Sequence, residues 1–282
     1  MTSAKQIFFL LLIILTILVG CKDNKAVKTD SIRIVSLAPS LTNTLCKMGH
    51  ISNLVGVTDF CQYDEDFNQR IAAGQIKRVS GFNTFNYELI SLTDPDYIFA
   101  LDSVTAEQWQ QFTSLFENTK TKVIGMKHPN SFASLEDQIR QIGDILNTAK
   151  AAAQLCEHIE ATLSNMLPIN KTITVLPEIY YPPFMTVGKD TFIADIVRKA
   201  GGKLAVEDDT LWPSVTLEQL LLINPNVVIT ETAHSETNHN LMLLDAYRLG
   251  HIFVPSHQDW YMQPLIDSAE IAVELNRYLA GL

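Results

Sequence analysis

Apolar residues recur at steps of three and four between residues 131 and 165, which is the period of one face of a helix. The stripe consists of Phe132, Leu135, Ile139, Ile142, Leu146, Ala149, Ala153, Cys156, Ile159 and Leu163. Ser131 is a suitable N-cap and Pro168 ends the pattern. The pattern predicts one helix about 50 Å long, longer than a small domain is wide. We therefore expect this helix to connect two domains.

Strand-like and helix-like segments alternate on both sides of this helix, which predicts mainly parallel sheets. Before it, we predict strands at 32–37, 54–58, 97–100 and 122–125, and helices at 40–48, 87–92 and 106–116. After it, we predict strands at 172–176, 227–230 and 251–254, and helices at 191–200, 216–222, 241–249 and 264–282. The predicted fold is α/β, with two similar lobes, 31–129 and 169–282, joined by one long α-helix within 130–168.

The two lobes share an internal repeat at a constant offset. The sequence YELISLTDPDYIFA at 87–100 aligns with LEQLLLINPNVVIT at 217–230 without a gap. Glu88 aligns with Glu218, and Pro95 aligns with Pro225. A helix, an Asx-Pro turn and a buried strand are common in α/β proteins. Because their order and spacing also match, we expect the lobes to have the same architecture.

The first twenty residues resemble a secretory signal peptide, with Lys5 followed by an apolar run and small residues. The sequence LVGC at 18–21 resembles the bacterial lipobox, which implies that Cys21 is lipidated and becomes the mature N-terminus. The apolar run is short for a transmembrane anchor, which is the alternative. Residues 21–30 are polar and are expected to be a flexible tether. We thus expect an exported chain, lipid-anchored to a bacterial membrane and facing the periplasm or the cell exterior.

Composition and motifs exclude several classes of function. The chain has a net charge of −10, which disfavours nucleic-acid binding. With Cys21 lipidated, three cysteines remain, so no disulfide framework is expected, and no spacing suggests zinc. Nucleophile-elbow, P-loop, dinucleotide and metalloprotease motifs are absent. The Asp208–Asp209 pair is more typical of a turn than of a catalytic site, and His234 and His239 are five residues apart in a polar stretch. We therefore expect no enzyme, cofactor or resident metal.

Aromatic residues are concentrated in the predicted loops of both lobes: Phe60, Phe82, Phe85, Phe184, Trp212, Trp260 and Tyr261. Ligands of α/β sheets bind at the carboxyl ends of strands, where such loops converge. Any one ring could instead anchor its loop on the core. As a set, they predict a cleft between the lobes for a large, partly apolar ligand.

Several segments together resemble the substrate-binding proteins of ABC importers that have a single long helix between lobes and that handle cobalamin, iron-siderophores or haem. The segments are IRIVSLAPSLTNTL (32–45), LVGVTDF (54–60), GFNTFNYELISLTDPDYIFA (81–100), PPFMTVGKDTFIADIVRKAGG (182–202), WPSVTLEQLLLINPNVVIT (212–230) and SHQDWY (256–261). The resemblance covers most of the mature chain and implies the class III periplasmic-binding-protein fold.

Among these proteins, the chain looks most like the cobalamin receptors. Matching motif by motif, the resemblance implies that a corrinoid is bound by Phe60, Phe82, Phe184, Trp212, Asp259 and Trp260. The chain departs from the pattern at Leu101–Asp102, where an aromatic residue is expected, and lacks a cysteine pair that some members carry.

The resemblance also implies that Glu88 and Glu218 dock onto arginines of the two permease subunits, with the protein acting as a monomer. Helix N-terminal acids are otherwise explained by the helix dipole. Haem and ferric siderophores remain alternative ligands; Tyr63, Tyr181, Tyr261 and His257 are possible donors to haem iron. A tetrapyrrole-processing enzyme or a surface adhesion module could use the same lobes.

Overall fold

Two parallel β-sheets organise the molecule, one in each lobe. The computed structural model describes residues 31–81, 85–102, 105–180, 183–230, 241–256 and 264–282. Residues 33–282 form one unit, whose sheets have the strand orders β3-β2-β1-β4-β5 and β7-β6-β8-β9. All pairings within these sheets are parallel. The predicted fold of two α/β lobes with parallel sheets is therefore confirmed.

The first lobe has buried central strands covered by short helices. Its strands are β1 (Ile34–Ser36), β2 (Leu54–Thr58), β3 (Lys77–Ser80), β4 (Tyr97–Leu101) and β5 (Lys122–Met126). Its helices are α1 (Pro39–Lys47), α2 (Glu65–Ala72), α3 (Tyr87–Leu92) and α4 (Ala106–Ser114). Asp64 caps α2 through the Phe67 N–H, and Thr105 forms a capping box with Gln108 on α4. Residues of β1, β3 and β4 pack with Phe112 and Phe116 in one apolar core.

The second lobe repeats this plan with one strand fewer in its sheet. Its strands are β6 (Thr174–Pro177), β7 (Lys203–Leu204), β8 (Val227–Ile229) and β9 (Ile252–Phe253). Two helices, α5 (Phe132–Ile145) and α6 (Ala149–Leu163), connect the lobes, and α7 (Phe192–Lys199), α8 (Leu217–Ile223), α9 (Asp245–Leu249) and α10 (Ser268–Gly281) follow. The helix predicted at 241–249 is a 3₁₀ turn, Leu241–Leu243, followed by the short α9.

The repeat that aligns 87–100 with 217–230 is confirmed in three dimensions. Helices α3 and α8 correspond, as do strands β4 and β8. Asp94 and Asn224, which align in the repeat, both adopt positive φ angles, 44° and 40°. Aspartate and asparagine tolerate this left-handed conformation better than most residues. Each lobe therefore turns from helix to strand by the same backbone device.

The prediction of one long helix over 131–165 is wrong, because α5 and α6 form an antiparallel hairpin. Leu146 ends α5, and Asn147 has a φ of 57° that no continuing helix allows. The Cys156 thiol lies 3.8 Å from the Glu136 carbonyl oxygen, so α6 runs back along α5. The apolar residues of both helices face inward, which is why the stripe continues across the break. Helix α10 packs against both α6 and α7.

Side-chain contacts join the connecting hairpin to the second lobe, and one ion pair joins the two lobes directly. The Asp195 carboxylate of α7 accepts a hydrogen bond from the Phe132 N–H at the start of α5, at 2.9 Å. The Lys47 ammonium of α1 pairs with Asp267, just before α10, at 2.7 Å. The rings of Phe132 and Phe192 pack with centroids 5.0 Å apart. The junction is thus held at several points that are distant in sequence.

Cys46, Cys61 and Cys156 are all free and buried, as expected for a chain without a disulfide framework. Burial raises the pKa of the Cys46 thiol to about 12, and it also raises the pKa of Cys61. Within the described part of the chain, none of the helices has the length and apolar character needed to cross a membrane.

The hairpin makes a prediction about Gly143, which lies where α5 and α6 are closest. A Cβ atom at Gly143 would lie 2.6 Å from the Cβ of Ala152, closer than two carbon atoms approach. Gly143→Ala should therefore lower the free energy of unfolding by about 1–3 kcal/mol, the cost of overpacking. In an exposed position of one continuous helix, the same change would stabilise the protein by about 0.5–1 kcal/mol.

Denaturant unfolding of the purified chain measures the change in the free energy of unfolding caused by Gly143→Ala. The sign of this change distinguishes a hairpin from one continuous helix. Gly281→Ala is the control, because a Cβ there meets no atom within 4 Å. A stabilising effect of Gly143→Ala would contradict the hairpin.

Candidate functional site

A cavity of about 640 Å³ lies at the carboxyl ends of β2 and β3, within the size range of small-molecule sites. Its walls come from three places in the sequence: the residue after β2, the end of β3, and the start of α3. They are formed by Asp59, Arg78, Val79, Ser80, Gly81, Phe85, Asn86, Tyr87, Glu88 and Leu89. The sheet edge that the strand order predicts as a binding edge therefore contains an open space.

Arg78 fixes the turn that carries Phe60 beside this cavity. Its guanidinium donates hydrogen bonds to the carbonyl oxygens of Thr58, Asp59 and Cys61, at 2.7, 2.8 and 3.2 Å. The Asp59 N–H also donates to the Ser80 carbonyl at 2.8 Å. Phe60, at the tip of the turn, is 55% exposed. Sequence analysis missed the role of Arg78, because a cation whose partners are carbonyl groups leaves no pattern of paired charges.

The buried Cys61 also packs against this turn, on its protein-facing side. Its sulfur lies 3.1 Å from the hydroxyl oxygens of both Thr42 and Thr58. The Thr42 hydroxyl is also 2.8 Å from that of Ser36, at the end of β1. Because the pKa of Cys61 is raised by burial, the group is a thiol and not a reactive thiolate. Its place in the structure is that of a packing residue.

In the second lobe, an antiparallel ribbon presents Trp212. The Thr186 N–H donates to the Pro213 carbonyl at 3.0 Å, and the Gly188 N–H donates to the Leu211 carbonyl at 2.9 Å. Gly188 is required here, since a Cβ would collide with the Thr210 carbonyl oxygen. Trp212 is 43% exposed on this ribbon.

Among the described residues, the aromatic side chains predicted to line a cleft divide into two groups. Phe60 and Trp212 are exposed, whereas Phe184 is only 3% exposed and packs in the core of the second lobe. Phe85 stacks on Phe112 in the first lobe, with centroids 4.9 Å apart. Phe85 and Phe184 therefore occupy the loop-anchoring positions that were the alternative to ligand contact. In this conformation the Phe184 ring has almost no face available to a ligand.

Several predicted residues lie outside the described residues: Cys21, Phe82, Tyr181, His234, His239, His257, Asp259, Trp260 and Tyr261. Tyr63, the remaining candidate haem ligand, is half-buried with its ring 6.5 Å from that of Phe67. Burial raises the pKa of Tyr63, which disfavours the phenolate. The described part of the chain contains no cluster of three or more His, Cys, Asp or Glu side chains that could hold a metal ion.

The Asp208–Asp209 pair forms a turn, as expected. The Asp208 carboxylate accepts from the Thr210 N–H at 2.7 Å, which lowers the pKa of Asp208. Asp209 forms an ion pair with Lys189 across the ribbon.

A buried carboxylate at the carboxyl end of β6 was not anticipated. Glu178 directly follows β6, is 5% exposed, and accepts a hydrogen bond from the Tyr247 hydroxyl at 3.1 Å. Burial, and then the nearby Glu178 carboxylate, raise the pKa of Tyr247. An acid immediately after a buried strand was the available signal in the sequence. Glu178 follows β6 as Leu37 follows β1 in the first lobe. Because Leu37 is apolar, the two lobes differ at the carboxyl edge of their sheets.

Glu88 and Glu218 occupy equivalent exposed positions in the first turns of α3 and α8. Asn86 and Thr216 cap these helices by accepting from the Leu89 N–H and the Gln219 N–H. The pKa of Glu218 is lowered by its own backbone N–H and by Thr216. Glu88 also borders the cavity of the first lobe. The predicted equivalence of the two acids is confirmed, but their docking role stays a prediction.

Comparison with known proteins identifies the family. A family model described as periplasmic binding protein matches residues 34–247. An uncharacterized ABC transporter substrate-binding lipoprotein of Bacillus subtilis, YvrC, is 27% identical over 214 residues, which are 72% of this chain and 65% of that protein. The matched part of the chain thus spans less than two thirds of that relative.

A vitamin B12-binding protein of Yersinia pestis is 24% identical over 239 residues, covering 81% of this chain and 79% of that protein. Among solved structures, a periplasmic heme-binding protein of Roseiflexus has the same fold, with a TM-score of 0.74 and 17% identity over 89% of this chain and 98% of that chain. On the family match over most of its length, the chain belongs to the periplasmic binding protein family.

Proposed function

We propose that the protein is the substrate-binding lipoprotein of an ABC importer, that it captures a cobalamin-like corrinoid between its lobes, and that it delivers this ligand to the permease. The observation that carries the proposal is the placement of Phe60 and Trp212. Each is an exposed ring in a loop of a different lobe, and each loop is held by several backbone hydrogen bonds. Rigid exposed rings suit a large ligand with flat apolar surface.

The similarity to vitamin B12-binding relatives supports a corrinoid over other ligands with flat apolar surface. In our proposal, the rings cover apolar faces of the macrocycle while backbone groups and Asp259 meet its amide side chains. Phe82 and Trp260 complete the aromatic contacts in this proposal. Phe184 contributes by anchoring the ribbon that carries Trp212, since its carbonyl accepts from the Val215 N–H at 2.8 Å.

Haem is the alternative ligand, and a periplasmic heme-binding protein has the same fold. A haem receptor offers an axial ligand to iron, commonly histidine or tyrosine. Tyr63 is poorly suited to this role, because its pKa is raised and its ring packs against Phe67. A ferric siderophore would be met by free cationic groups, whereas the guanidinium of Arg78 at the cavity is engaged by three carbonyls. Both ligands are therefore outcomes of the binding test below.

The remaining parts of the proposal concern location and partner. Lipidation of Cys21 would attach the chain to the outer face of a bacterial cytoplasmic membrane or to a periplasmic membrane surface, with residues 22–30 as the tether. Glu88 and Glu218 would then pair with basic groups on the two permease subunits. Such exposed charge pairs affect encounter rate and register more than affinity.

The ligand assignment is tested by calorimetric titration of the purified chain from Lys22 onward with cyanocobalamin, haemin and a ferric siderophore. We expect saturable binding of cyanocobalamin at one site and much weaker binding of the other two. Tight binding of haemin without binding of the corrinoid would overturn the corrinoid proposal and leave the transport family intact.

The aromatic contact is tested by Trp212→Ala, which should weaken ligand binding by about 1–3 kcal/mol, the range for a stacked and buried ring. Leu211→Ala is the matched control, since Leu211 is its exposed neighbour on the same ribbon. Calorimetry measures both variants. Equal affinities of the two variants would show that Trp212 does not stack on the ligand.

The docking role is tested by reversing both charges, Glu88→Lys with Glu218→Lys. Because both acids are exposed, the free energy of unfolding should remain as in the parent, while ligand uptake by cells should fall about tenfold or more, the effect of bringing like charges together at an interface. Ligand affinity is measured for the same variant, because Glu88 also borders the cavity of the first lobe. Glu117→Lys with Glu157→Lys, also exposed acids, is the control with the same net charge. Undiminished uptake with the first pair would exclude docking through these glutamates.

A further inference from the structure

Two exposed leucines accompany the two glutamates, one on α3 and one on α8. Leu92 on α3 is 67% exposed, and Leu222 on α8 is 86% exposed. A single exposed leucine is ordinary in a soluble domain and needs no explanation. These two are different because they align in the repeat, just as Glu88 aligns with Glu218. A leucine side chain is therefore exposed to solvent at the equivalent position of each lobe.

Both leucines lie on the same helix face as their glutamate. Leu92 follows Glu88 by four residues and Leu222 follows Glu218 by four, the spacing that places side chains side by side on a helix. In each helix the residue two positions after the glutamate, Ile90 or Leu220, is buried at 0–1% exposure. That buried residue fixes the rotation of each short helix about its axis. The packing of that buried residue therefore keeps both leucine side chains on the solvent-exposed face of their helices.

A further exposed leucine enlarges each patch. Leu89 is 38% exposed in the first lobe, and Leu221 is 42% exposed in the second. Each patch is therefore a small apolar surface with one acidic side chain at its border. A surface with an apolar centre and charges at the rim is the usual arrangement of a protein–protein contact.

The chemistry of the patches selects one kind of partner. A second copy of this chain, in a symmetric contact, would bring the same acidic patches of both copies together, in a chain that already carries a net charge of −10. An anionic lipid surface would repel the same acids. A partner with two similar subunits, each with an apolar pocket bordered by basic groups, matches both the repetition and the charge.

We infer that Leu92 and Leu222 are the apolar anchors by which the two lobes dock onto the paired subunits of the permease. This inference rests on the proposed function and deepens it. The leucines insert into apolar pockets and slow dissociation, while Glu88 and Glu218 at the rim speed association and fix the register. Binding through the glutamates weakens as salt rises, whereas the contribution of the leucines persists.

The experiment measures association of the full mature chain with its ABC permease in lipid nanodiscs, by biolayer interferometry at about 50 to 500 mM salt, a range over which screening of exposed charges changes severalfold. Leu92→Ser and Leu222→Ser should each weaken binding about tenfold, and together about a hundredfold, through faster dissociation at every salt concentration. Leu115→Ser and Leu249→Ser are matched controls, since these leucines are 49% and 66% exposed elsewhere on the two lobes. Ligand titration and unfolding verify that all four variants stay folded and competent.

The outcomes separate the inference from the proposed function. Unchanged dissociation of the Leu92→Ser, Leu222→Ser double variant, with binding lost on reversing Glu88 and Glu218, would overturn the anchor role and retain the docking surface. Faster dissociation with the leucine changes, and no effect of the glutamate changes, would support the anchors and reject the charge pairs. If neither set of changes alters binding, the exposed faces of α3 and α8 are not the docking surface, and both the anchor role and the charge pairs are rejected.

Discussion

One backbone–side-chain pairing, made once in each lobe, determines where the functional surfaces lie. In the first lobe, the Arg33 N–H donates to the Asp96 carboxylate at 2.8 Å, and the Asp96 N–H donates back to the Arg33 carbonyl. In the second lobe, Thr174 and Asn226 make the same reciprocal pair. Each pair sets the register between the first strand of the lobe and the strand that follows α3 or α8. Because a one-residue slip would turn every side chain of that strand over, the pairing also fixes where the preceding helix ends.

This constraint explains why the repeat could be recognised from sequence alone. The Asx residues at 94 and 224 supply the left-handed turn, those at 96 and 226 supply the strand pairing, and the prolines at 95 and 225 stand between them. Such positions tolerate few residue types, so the sequence keeps a visible signature. The strands that could not be predicted have less distinctive sequences. Strand β3 begins with Lys77–Arg78, which hides its β pattern, and β7 is only two residues long.

The connecting hairpin shows the limit of periodicity as evidence. An apolar stripe records which residues are buried, and both a long helix and a folded-back pair of helices bury one stripe. The break depends on Asn147 and on the absence of a side chain at Gly143, where α6 crosses. A glycine and an asparagine four residues apart are weak signals in a segment whose other residues favour a helix. The site has a similar limit. The sequence predicts that aromatic residues lie in loops, but whether a ring is exposed, as Phe60 is, or buried, as Phe184 is, depends on partners distant in sequence.

The hairpin also changes how the connection between the lobes is held in place. A single helix would have acted as a rigid rod, whereas a hairpin is held by packing on its neighbours and therefore by the lobes themselves. Asp195 caps the first turn of α5 from the second lobe, and His50 of the first lobe lies 3.2 Å from the Thr148 hydroxyl at the hairpin turn. Lys47 and Asp267 add a direct ion pair between lobes. The connection between the lobes therefore depends on several modest contacts acting together, so that the loss of any one of them weakens the junction without breaking the covalent link.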